Sequence, residues 1–171
     1  MTILDLNDNE FLPYFKGYID LAEGLELLPG LKSGLDNTLG FYCSIPLEKL
    51  DFRYAEGKWS IKEIISHIID TERIFCYRAL RFAREDVSAL SGFDENNFVD
   101  TSNAKNRTIG DLLEEYKLVR LSTLALFKSF TGKSLLCKGV AGSGEVSVRA
   151  LGFLIIGHEK HHQNVIVERY L

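Results

Sequence analysis

The chain has 171 residues, 46% apolar and 26% charged, with 20 basic against 24 acidic side chains and a net charge of −4. That length suits one domain spanning residues 1–171, at about 100–200 residues per domain, and the balance argues against global disorder. No basic tract of the kind that nucleic-acid binders use is present, so DNA and RNA are not expected partners.

The opening residues, Met1 to Asp8, have no basic region followed by an apolar run, so no secretory signal is expected. The longest apolar stretch, Ala150 to Gly157, has eight residues. It is too short to cross about 30 Å of hydrocarbon, so no membrane partner is expected. Cys43, Cys76 and Cys137 are odd in number, far apart and without CxxC spacing. They read as reduced thiols of a cytoplasmic protein.

Four long helices are expected, preceded by a short one within residues 10–22. The first long helix covers about 26–44, with Pro29 tolerated in its first turn and Gly34 weakening it. The second covers 60–84 without Pro or Gly, and Ser60-Ile61-Lys62-Glu63 reads as a capping box. Its inward stripe is Ile61, Ile65, Ile68, Phe75, Ala79 and Phe82, with Glu72 occupying the remaining slot. The third covers 108–130, capped by Thr108, and the fourth covers 147–170. No segment alternates with period two for long enough to require a sheet.

These elements predict an all-α four-helix bundle. The connection between the second and third long helices, Glu85 to Arg107, has 23 residues. Extended, it reaches roughly 75 Å, more than the about 36 Å length of such a helix. It is long enough to return along the bundle and leave those two helices parallel. A merely long, functional loop is the alternative.

The fourth helix carries the chemistry. Val148, Leu151, Ile155, His158, His162, Val165 and Arg169 are spaced three, four, three, four, three, four. His158 and His162 therefore share one inward face, about 5–6 Å apart at Cβ, while His161 falls off it as a surface or supporting residue. Two desolvated imidazoles without partners are costly; a divalent metal resolves that cost, and so does a hydrogen-bonded core pair. Gly152 and Gly157 suit a close approach of a neighbouring helix. His67, the remaining histidine, lies at the edge of the second helix's stripe, and periodicity does not bring it to the pair.

Gly57-Lys58-Trp59-Ser60 through His67 to Arg73, Tyr77-Arg78 through Arg84, Gly92-Phe93-Asp94, and Gly157-His158-Glu159-Lys160-His161-His162 together resemble the DinB-like (DinB/YfiT) superfamily. The resemblance runs from about Tyr54 to Leu171; the first 50 residues match in general character only. It implies an up-down-down-up bundle and a divalent metal, zinc or nickel, held by His67, His158 and His162. It also implies a homodimer, and activities among thiol-dependent transferases and isomerases, with hydrolases proposed.

Three neutral nitrogen ligands leave a coordination position open, the pattern of a catalytic site. The expected function is transfer using a low-molecular-weight thiol, with a small-molecule substrate. Hydrolysis, or a non-catalytic metal-stabilised dimeric interaction protein, is the alternative. Glu72 is the candidate general base, set against a buried carboxylate paired with Arg or Tyr. Arg78, Arg81 and Arg84 suit an anionic substrate or a salt-bridged helix face. Asp70 reads as solvated, and Trp59 as the anchor of the second helix's first turn.

Overall fold

The computed structural model describes residues 1–171. Short 3-10 turns lead into α1 (Lys16–Asp20), and α2 (Leu27–Cys43) and α3 (Ile61–Ala83) follow. Next come α4 (Glu95–Thr101), α5 (Ile109–Lys128) and α6 (Gly132–Leu136). Strands β1 (Lys138–Ala141) and β2 (Gly144–Ser147) then precede α7 (Val148–Arg169). Helices α3, α5 and α7 start where side-chain oxygens satisfy their first N–H groups, whereas Glu26 ahead of α2 makes no such bond. At α3 the capping box is complete: Glu63 N–H donates to Ser60 Oγ at 3.4 Å and Ser60 N–H to Glu63 Oε2 at 2.7 Å. Thr108 caps α5 through the Asp111 N–H, and Ser147 caps α7 through the Ala150 N–H.

Long-range contacts fix the topology as up-down-down-up. Lys62 Nζ donates to the Lys105 carbonyl just ahead of α5, and Arg120 reaches Glu72 farther along, so α3 and α5 run parallel. Tyr170, following α7, donates its hydroxyl to the Trp59 carbonyl ahead of α3, so those two helices run antiparallel. On α2, Gly34 meets Tyr116 and Leu31 meets Arg120, whereas Thr38 meets Gln163. Helix α2 therefore opposes α5 and accompanies α7. The long connection does return along the bundle.

Two features differ from the expectation. The glycine-rich stretch before α7 contains an antiparallel hairpin, β1 against β2, closed by Gly142-Ser143 with Gly142 at φ 63°. Each strand is four residues long, too short to register as alternation, and the two-residue Gly-Ser loop is its local signal. The crossover is also not mere loop. It carries α4, capped by Asp94, and Leu90 exchanges backbone hydrogen bonds with Val140 and Gly142. The hairpin and crossover thereby form one wall beside the bundle.

The apolar core falls into two clusters. One packs Leu31, Phe82, Phe127 and the first half of α7; the other packs Tyr42, Ile65, Leu112, Tyr116 and Ile166. A polar layer lies between them. Arg120, 0% exposed, donates through Nε and Nη2 to both oxygens of Glu72, each at 2.8 Å, and through Nη2 to Glu159 at 2.7 Å. Tyr116 Oη donates to Glu159 at 2.7 Å. A Cβ at position 34 would collide with Glu159 Oε1, so Gly34 gives this cluster its room in α2. That is the return for a residue that weakens its helix.

Candidate functional site

At the level of this polar layer, α3 and α7 bring three histidines together. His67 Nε2 lies 3.0 Å from His158 Nε2, which lies 3.1 Å from His162 Nε2. All three ligand atoms fall within 4.8 Å of one another. His67 is buried, while His158 and His162 are half-buried. Desolvation, with a smaller contribution from His161, brings the His67 pKa down to about 4. Desolvation, with His67 and His161 behind it, brings His162 to about 3. Burial and the neighbouring imidazoles push His158 well below its usual value too. The rings are therefore neutral at neutral pH and offer lone pairs.

The two contacts cannot both be well-directed hydrogen bonds. A neutral ring nitrogen either donates one proton or offers one lone pair, yet His158 Nε2 faces two other ring nitrogens. The two contacts must share that proton or lone pair, a strain that a cation held by all three lone pairs would relieve. Tetrahedral ligation at about 2.0–2.1 Å would set such nitrogens about 3.3 Å apart, close to the two spacings found. The donor set fits a borderline divalent ion.

The histidines open onto a cavity of about 430 Å³. Helix α3 contributes His67, Thr71, Phe75 and Arg78 to its wall, successive positions of one helical face. Opposite stand Tyr18 of α1, Phe93 of the crossover, and Gly142 and Ser143 of the hairpin turn. Gly157 sets the α1 side: a Cβ there would collide with the Tyr18 backbone carbonyl, so only glycine lets α1 lie against α7. The Tyr18 ring then meets His158 edge-on at 5.8 Å and His161 at 5.0 Å. Burial, with Tyr14 nearby, pushes the Tyr18 phenol up to about 12, so it stays protonated at neutral pH.

Other expected site residues are placed differently. Glu72, the candidate base, is 2% exposed, has both oxygens on Arg120, accepts Thr123 Oγ1 at 2.6 Å, and does not line the cavity. The paired-carboxylate alternative describes it, because the inward stripe of α3 turns that position toward α5 rather than toward the histidines. Trp59 supplies the anchoring carbonyl for Tyr170, but its ring also stands 4.7 Å from the His67 ring as cavity wall. Asp70 is half-buried and pairs with Arg73 at 3.6 Å. Arg81 pairs with Asp86 and Arg84 is exposed, as a solvated face requires. Arg78 departs from that face, because the crossover folds Phe93 over its guanidinium at 5.8 Å. Tyr18 and Thr71 escaped the sequence reading, and Phe93 entered it only within the Gly92-Phe93-Asp94 motif, since none carries a local signal of a cavity wall.

A model of the DinB superfamily matches residues 31–166. The chain belongs to the DinB superfamily. A protein of Oceanobacillus iheyensis, described as a proposed metal-dependent hydrolase, is 27% identical to it over 152 residues, 84% of this chain and 81% of that protein. Among solved structures, YfiT from Bacillus subtilis superposes with a TM-score of 0.71 at 16% identity, over 96% of this chain and 90% of that one. YfiT is described as a probable metal-dependent hydrolase with an unusual four-helix bundle topology. At that identity the likeness establishes the shared fold. No helix of this DinB-superfamily chain is long and apolar enough to cross a membrane.

Proposed function

We propose that this chain is a metal-dependent enzyme in which His67, His158 and His162 hold one divalent cation, zinc or nickel. The cavity beside them receives a small-molecule substrate. The observation that carries the reading is the convergence of three neutral Nε2 atoms on the wall of an open cavity. The descriptions of the Oceanobacillus protein and of YfiT agree with metal dependence. A cation bound there supplies Lewis acidity and makes a water or thiol nucleophilic at neutral pH.

The residues favour thiol transfer over hydrolysis. Hydrolysis calls for a general base near the attacking water. Glu72 is committed to Arg120, and the sole carboxylate on the cavity wall is Glu95, on the crossover side. A thiolate needs no such base. Burial pushes the Cys76 thiol up to about 12, and none of the chain's cysteines lines the cavity, so the reacting thiol belongs to a bound small molecule. The protein's part is to exclude water with Phe75, Phe93 and Leu154 and to present the protonated Tyr18 hydroxyl to a developing negative charge. A homodimer is part of this proposal, with sedimentation as its check.

Turnover on a panel of thiol–electrophile pairs and of ester and amide substrates tests the reading. Loss of all turnover in His158→Ala, with the melting profile of a folded bundle, supports an enzyme. Turnover surviving in His158→Ala contradicts it. Turnover on the ester or amide arm alone, lost in the same variant, selects hydrolysis.

A further inference from the structure

Arg78 is the unexplained charge of the cavity. It is 8% exposed and lines the wall on the same face of α3 as His67, yet it makes no ion pair. Its one hydrogen bond is Nη2 to the Ser91 carbonyl at 3.1 Å, leaving Nε and Nη1 without partners. The guanidinium lies between two aromatic rings, 6.0 Å from the Phe75 centroid and 5.8 Å from that of Phe93. These hold it in place without neutralising it. Burial is the only influence on its pKa, and it pushes downward, as for a cation with no counter-charge. A buried cation is ordinarily paired.

One more polar group on this face has no partner. Thr71, one turn from His67, is 4% exposed, and its Oγ1 meets no donor or acceptor. Buried hydroxyls are normally satisfied. Both unpartnered groups, Thr71 and Arg78, lie on the wall of one cavity, two helical turns apart, with the apolar Phe75 between them. The Thr71 oxygen is occluded, so the group on this wall that is open to a ligand is the unpaired guanidinium of Arg78.

We propose that Arg78 binds the carboxylate of the substrate. The substrate class is then an elongated monocarboxylic acid with an apolar body, its reacting end at the histidines and its carboxylate at Arg78. A single anionic charge is favoured over a phosphate because Arg78 is the cavity's one fixed cation and Glu95 lies on the same wall. Eleven residues separate His67 from Arg78, about 16 Å of helix axis. Side-chain reach shortens that span, so the acid lies on the order of 10 Å from the reacting end. This inference rests on the cavity being the substrate site of the proposed enzyme, but not on which reaction occurs there.

Trp59, the only tryptophan, lines the same cavity and reports binding by its fluorescence. The probes are ω-mercaptooctanoic acid and its methyl ester, titrated into the protein as purified and after zinc loading. The acid binds about ten-fold tighter than the ester, as one charge-assisted hydrogen-bonded contact provides. Arg78→Gln abolishes that preference while still binding the ester, and Arg78→Lys keeps part of it. Equal affinity for acid and ester in the wild type, or a preference that survives Arg78→Gln, overturns the assignment. An acid preference in protein that takes up no zinc upholds Arg78 while refuting the metal reading. Zinc uptake with no acid preference does the reverse.

Discussion

The Nε2 of His158 faces two other ring nitrogens, and each of those rings is held neutral by burial. That arrangement is demanding, and Gly157 beside it shows how closely the surroundings are fitted. Alanine at an ordinary helix-interior glycine gains about 1 kcal/mol. At 157 the added methyl meets the Tyr18 backbone, which cannot rotate away. At 152 it meets Leu27 Cδ1 at 2.6 Å and Phe127 Cε1 at 2.7 Å, both side-chain atoms. Gly157→Ala is therefore expected to destabilise by about 1–3 kcal/mol or more, and by more than Gly152→Ala, in urea unfolding of the two variants. Glu72 gives a second test at this scale. Glu72→Gln weakens the pairing with Arg120 and lowers stability but leaves bound metal per chain unchanged; loss of metal in this variant would restore Glu72 to the site.

Individual elements were legible to different degrees. Ser60, Thr108 and Ser147 announce their helices because capping is a local event, settled within four residues. The β1–β2 hairpin signals itself locally only through its Gly142-Ser143 loop, and its bridge from Ala141 to Leu90, far earlier in the chain, lies outside any local pattern. Arg78 is covered by Phe93 through the same crossover, which is why it reads as one more solvated arginine until the chain is folded. His67 joins His158 only through the antiparallel pairing of α3 with α7, so the family resemblance, not periodicity, located the third histidine. The N-terminal segment packs apolar side chains such as Phe11, Phe15 and Ile19 on the core and adds one buried ion pair with α7. Glu10, 2% exposed, accepts from Arg149 Nε and Ser147 Oγ, each at 2.7 Å. Burial alone would raise its pKa, but the bonds from Arg149, the Asn7 backbone and Ser147 outweigh that and lower it to about 2. Because the folded value lies below the unfolded one, the stabilisation is present above about pH 4.5 and is lost as pH falls toward 2. The wild type should lose stability through that window in acid titration followed by circular dichroism. Glu10→Gln should be less stable at pH 7 and show a smaller loss there; an unchanged acid profile would contradict the role given to Glu10.

Across the whole molecule, a polar layer separates two apolar clusters, and the histidines and the Glu72–Arg120–Glu159 group lie at that level. The bundle therefore places its charged atoms where α2, α3, α5 and α7 all meet, and each must be satisfied there. Arg120→Met leaves two buried carboxylates without their cation and is expected to cost about 3–5 kcal/mol, measured by denaturant unfolding. A cost below about 1 kcal/mol, the size of an exposed pair, would show that the layer is not an organising feature. The histidines have no carboxylate to satisfy them as Glu72 and Glu159 satisfy Arg120, and in the proposed enzyme a metal ion is the group that would. The direct test is metal per chain by plasma mass spectrometry, on tag-free protein beside His158→Ala/His162→Ala. The account predicts near-stoichiometric divalent metal in the wild type and none in the double variant. No metal in either, even after incubation with zinc or nickel, would contradict it and leave the three rings as a neutral hydrogen-bonded cluster.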